Sequence, residues 1–261
     1  MITLIQQFLH KHINLKLIIG FALSLTVAIA PAAQSGYVPG EQKPAPSDRR
    51  SDGGTTRGCS GEGMPLTVLA SRNYVGRTSS SHPTFAWFVP SDSISKPMQF
   101  AIYERVPEGK TKEVHKIFLQ STPGIMSLSP FSENDLGLQP GKEYFWQIVI
   151  NCDPDNPSGD LVGEASIEVV QIPAAVQSEL NAATDSFEKV NIYAEAGLWY
   201  NTLAEALKLT EPGTLGDLGS SLLNDLAQWE TQEISFELPP QELKTIEKWI
   251  ENLKQIADSA R

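Results

Sequence analysis

Few residues of this 261-residue chain combine the type and spacing that chemistry needs. His10 and His12 fall in an N-terminal stretch that reads as a removable leader, which leaves His82 and His115. Two isolated imidazoles build no His-rich metal site, and neither an H-E-x-x-H nor a G-x-S-x-G run occurs. His82 precedes Pro83 at a strand entrance and His115 sits among lysines, so both read as turn or surface residues. Cys59 and Cys152 are the only cysteines. A thiol nucleophile must be free beside a base, whereas an even count in an exported chain reads as a disulfide. That bond closes a loop of about 90 residues and stabilises the fold by roughly 4 to 5 kcal/mol in the chain-entropy account.

Asp153, Asp155 and Asp160 crowd one segment and offer oxygen ligands of the kind calcium takes. An EF-hand counted from Asp153 puts Ser158 where glycine is required, although Glu164 falls at the twelfth position. The segment therefore reads as a polar hairpin loop. Paired carboxylates for glycoside hydrolysis need two acids about 5 Å or about 6.5–9.5 Å apart, with no fixed spacing in sequence, and 31 acidic residues guarantee chance pairs. No catalytic, cofactor-binding or metal-ligating residue is assigned. Trp87, Tyr144 and Trp146 sit on alternating strand patterns that turn them inward. Trp199 and Tyr200 sit at a helix turn and are either buried between helices or, facing solvent, the candidate interface, because aromatic residues commonly anchor contacts.

The elements that must hold these residues begin with a leader. Residues 1–32 carry Lys11 and Lys16 ahead of an apolar run over 17–30 and the small residues Ala30 and Ala32. This is the layout of a secretory signal cut after Ala32, and the apolar run falls short of the roughly 20 residues that span a bilayer. No cysteine follows it directly, which argues against a lipid anchor. Loss of the leader removes two lysines and no acid, so a formal charge already at −11 becomes more negative. Such a balance disfavours nucleic-acid phosphates and anionic membrane surfaces as partners.

Residues 33–57 are rich in Gly, Pro, Ser and charge and read as a flexible leader segment. Over 58–173, seven apolar runs at 66–70, 84–89, 98–105, 113–119, 124–128, 142–152 and 161–172 alternate with turn residues. The run Leu138-Gln139-Pro140-Gly141 ahead of Tyr144 has the spacing of a tyrosine corner, which predicts a hydrogen bond from the Tyr144 hydroxyl to backbone a few residues upstream. An immunoglobulin- or fibronectin-type antiparallel β-sandwich follows from this pattern. From 174 to 261 the period lengthens, and the chain as a whole reads as α+β. Val176, Leu180, Ala183, Phe187 and Val190 predict one helix ending near Gly197, and further helices are expected over 198–209, around Leu215 to Leu226, and from Pro240 on. The stretch around Gly197 resembles the inter-helix turn of a tetratricopeptide repeat, but no second copy is present.

The segments Asp48-Arg49-Arg50-Ser51-Asp52-Gly53-Gly54, Pro83-Thr84-Phe85-Ala86-Trp87, Thr122-Pro123-Gly124-Ile125, Cys152-Asp153-Pro154 and Tyr193-Ala194-Glu195-Ala196-Gly197-Leu198-Trp199-Tyr200 occur here in order. In this combination the chain resembles the cyanobacterial domain-of-unknown-function family 928 over about 48–210. The resemblance implies a cyanobacterial envelope protein and carries no catalytic residue. The expectation is an exported, non-enzymatic interaction protein, in periplasm or outside the cell, whose partner is an envelope protein or glycan. A small carboxylate-dependent hydrolase of envelope polysaccharide is the alternative.

Overall fold

The structure, a computed structural model, describes residues 36–46, 63–91, 95–232 and 240–260. The signal read over 1–32 and the thiol of Cys59 lie outside the described residues. Among the described residues eight strands come first: β1 (Thr67–Val68), β2 (Gly76–Thr78), β3 (Phe85–Val89), β4 (Pro97–Val106), β5 (Lys110–Gln120), β6 (Gly124–Leu128), β7 (Glu143–Ile150) and β8 (Leu161–Val169). Five helices follow: α1 (Ala174–Ala182), α2 (Ser186–Glu195), α3 (Trp199–Leu207), α4 (Gly216–Gln232) and α5 (Pro240–Ser259). The architecture is α+β.

The strands form a three-stranded sheet in the order β1-β3-β6 and a five-stranded sheet in the order β2-β8-β7-β4-β5. Pairing is antiparallel throughout except where β2 runs parallel to β8. Alternation decides what lies between the sheets. Met98, Phe100 and Ile102 of β4 stand opposite Ile150, Ile148 and Trp146 of β7, and all six are buried. Phe85 of β3 meets Phe100 and Trp146 with ring centroids 5.0 and 5.1 Å apart, so the two sheets face each other across an aromatic core. Tyr144 makes the predicted hydrogen bond: its hydroxyl oxygen accepts from the Gln139 N–H at 3.0 Å.

Each of the seven runs carries a strand, and β2 is an addition. Gly76-Arg77-Thr78 has no apolar alternation to announce it, and its partner β8 supplies the ladder. The long first helix is also two helices, because Asp185 accepts from the Glu188 N–H while the Glu188 carboxylate accepts from the Thr184 N–H at 2.7 Å. This reciprocal cap starts α2 afresh after Ala183, whose ψ of 129° is extended.

Residues Gln34–Arg261 form one compact unit, with sheet and helix residues in a common core. α3 lies against β2 and α4, α2 against α3, α4 against α5, and α5 reaches β1. The part of the presumed flexible leader that is described, 36–46, is docked as well. Tyr37 is buried, its N–H donates to the Asp225 carboxylate at 3.0 Å, and its carbonyl accepts from the Trp229 indole at 2.7 Å. Further along, Ala45 N–H bonds the Asn73 carbonyl and Val75 N–H bonds the Lys43 carbonyl. Composition pointed to a tether because a single large side chain and several backbone groups do the anchoring.

Candidate functional site

Trp199 and Tyr200 open α3, and neither faces solvent: they are 0 % and 2 % exposed. The Trp199 indole donates to the Leu69 carbonyl at 2.8 Å, just past β1, and its ring meets Tyr37 edge-on at 4.8 Å. The Tyr200 hydroxyl accepts from the Trp146 indole at 2.8 Å and donates to the Ser166 carbonyl at 3.1 Å. Tyr200 also lies 5.8 Å from Phe85, so its ring enters the space between the sheets. The pair is an interface inside the molecule. Room for it comes from Gly76, where a Cβ would stand 2.7 Å from the Tyr200 ring. Gly197, at φ 69° beside Gly40, makes the turn that delivers α3.

A buried carboxylate holds the crossover between the sheets. Glu230 of α4 is fully buried and accepts from the Ser71 hydroxyl at 2.5 Å, the Arg72 N–H at 2.9 Å and the Asn73 N–H at 3.1 Å. Sequence reasoning missed it, since nothing marks one acid among many as buried. Tyr37 and Tyr74 lie near it, and burial pushes both phenols far above their ordinary value, which keeps them neutral. With three donors satisfied, Glu230 is an anchor for a loop. Among the described residues no other acidic side chain is buried, so no facing acid pair is assembled in the interior.

The remaining sequence candidates settle locally. The Asp160 carboxylate accepts from the Cys152 N–H and the Asn151 amide, both at 3.0 Å, and Asp153 accepts from the Asp155 N–H. Among the described residues no group of three or more potential ligands gathers for a metal. His82 and His115, distant in sequence, both pack against Phe131, with ring centroids 5.8 and 5.2 Å away. His82 further bonds the Ser81 hydroxyl and the Asp135 carbonyl, which pins the loop between β6 and β7. Cys152 is buried at the end of β7.

What is left open is the other side of the five-stranded sheet. β5 is its edge, eleven residues long, and among the described residues no strand pairs beyond it. Lys110, Lys112 and Lys116 are exposed along it, and Phe118 is 75 % exposed. Val114 is the extra residue of a bulge, for Ile102 stands opposite His115 while Tyr103 stands opposite Glu113. Phe118 and Lys116, opposite Gln99 and Ala101, belong to the outer face, where Tyr103 stacks on Phe145 at 4.9 Å and Arg105 lies over the Phe145 ring. Lys116 pairs with Glu113 and Lys110 with Glu108, both as exposed ion pairs of small energetic weight.

The family model described as Domain of Unknown Function (DUF928) matches residues 52–231 of the chain. No curated protein matches it.

Proposed function

The chain belongs to the DUF928 family, and from that premise we propose that it is an exported, non-enzymatic interaction protein of the cyanobacterial cell envelope. The observation that carries this reading is the edge of β5, beyond which no strand pairs among the described residues, with its exposed lysines and Phe118, together with a buried Glu230 committed to a loop. Unpaired edges are templates for another chain. Export is supported by the signal-like layout of residues 1–32. Among the described residues no helix is long and apolar enough to cross a membrane.

Within the same proposal the strand region is an immunoglobulin- or fibronectin-type sandwich. The division into β1-β3-β6 and β8-β7-β4-β5, the antiparallel pairing and the Tyr144 bond at the entry to β7 support that assignment. Cys152 pairs with Cys59, and the support is that no free cysteine occurs among the described residues. Peptide mapping without reductant is expected to recover the two as one linked pair; recovery of two alkylated thiols would remove the bond from the proposal.

The functional test places a photo-crosslinking amino acid at Phe118, and in a second protein at Leu209, which is also exposed. In envelope extracts the first is expected to yield discrete adducts and the second none. Adducts from both alike, or hydrolysis of an envelope glycan abolished by one Asp or Glu substitution, would overturn the reading.

A further inference from the structure

We infer that the occupant of β5 is an extended polypeptide segment, acidic toward one end and apolar toward the other, that adds a strand along Lys112 to Leu119; this rests on the interaction reading above. The chemistry of the occupant follows from what the edge presents. The free edge of a paired strand offers outward backbone N–H and C=O groups at every second residue, twice the rise of about 3.4 Å, and the group that matches this repeat is another extended backbone. Lysines on an edge ordinarily discourage such pairing. Here they are concentrated before and at the middle of the strand, while Ile117, Phe118 and Leu119 carry no charge.

Charge selects among extended segments. The chain has 31 acidic and 20 basic residues, yet β5 carries three lysines and one glutamate. The reversed local sign favours a segment with carboxylates near Lys112 and Lys116, able to compete with the exposed Lys116–Glu113 pair. Apolar selection comes from both faces: Phe118 stands outward, while Ile117 and Leu119 are half-buried on the side that faces the core. A second copy of the chain fits poorly. Self-pairing would lay a second edge carrying Lys110, Lys112 and Lys116 beside the first, bringing like charges together.

The test uses the full chain and a library of random octapeptides. Selection is expected to enrich sequences with Asp or Glu toward one end, apolar residues toward the other and no proline. Enriched peptides should slow amide exchange at His115 to Leu119, and Lys112→Glu with Lys116→Glu should weaken them about tenfold or more while admitting their lysine counterparts. Enriched peptides that protect amides elsewhere would overturn strand addition at β5 and leave an interaction protein with another surface. Concentration-dependent protection of β5 without peptide would overturn it in favour of a second copy. No enrichment over the doubly substituted protein would sink the inference, and adducts at Phe118 would then decide separately on the broader reading.

Discussion

The two edges of the five-stranded sheet have opposite fates. β2 is three residues long, runs parallel to β8 and lies under α3, with the Tyr200 ring against Gly76 and its hydroxyl bonded to Trp146 and Ser166. β5 is eleven residues long, bulged, lysine-lined and uncovered by any strand among the described residues. A sheet edge is a liability that can be removed by covering it or blunted by charge, and this molecule does one on each side. The covered edge consequently contributes stability, and the charged edge contributes little to it.

The largest effect that would break this contrast is at Tyr200. Tyr200→Ala removes a buried ring and leaves the Trp146 indole unpaired, and is expected to cost about 4 kcal/mol, read as a lowered urea midpoint. A midpoint within experimental scatter of the parent would show that α3 does not hold the β2 side.

Next comes Glu230→Ala, which strips the Ser71 hydroxyl and two backbone N–H groups of their acceptor. A loss of about 3 kcal/mol is expected, with Glu230→Gln recovering part of it. Full recovery by alanine-sized packing would mean the loop finds other partners.

Tyr144→Phe deletes one hydrogen bond at the entry to β7, away from both edges, and should lower stability by about 1 kcal/mol. It calibrates a local contact against the helix-dependent ones.

A pH series sharpens the helix side further. Burial holds the Asp225 carboxyl above its ordinary value, partly offset by the Tyr37 N–H it accepts from. Between the unfolded and folded values the native state binds more protons, so this group's contribution to stability falls as pH rises through that interval. Asp225→Asn keeps an acceptor for Tyr37 and should flatten that part of the pH profile; an identical slope would exclude Asp225 as its source.

The smallest stability effect is expected on the bare side. Lys112→Glu with Phe118→Ser should change the denaturation midpoint by the equivalent of under about 0.5 kcal/mol, as surface substitutions do. A large loss would mean that β5 is covered and that the contrast fails.

How far each side was legible depends on the kind of signal it carries. β3, β4, β6 and β7 announce themselves by alternation, and the corner at Tyr144 by spacing. β2 does not, since three residues under a helix need no pattern of their own. Trp199 and Tyr200 at a helix turn fit either an interface or burial between helices; α3 buries both by being wedged between β2 and α4, and a sequence does not display a wedge. The break before α2 was written in Asp185 and Glu188 but was outweighed by the apolar spacing that continues across it. Phe118 was read as part of an ordinary strand, because the order of strands, which makes β5 an edge, is a property of the whole sheet.

The seat of Tyr37 has a consequence in time. Its N–H and carbonyl are held by Asp225 and Trp229, 188 and 192 residues further on, and Ser71 waits for Glu230 across 159 residues. Contacts of such separation are closed only when the late helices exist, and they slow the search for the native state. A ribosome delivers the sheets first and the keystone last. Until α4 emerges, the opening beside β2 has no Tyr200 seated under a packed helix layer, and the aromatic core between the sheets is accessible from that side. The two sheets are thus made before the helices and are among the last parts of the fold to be closed.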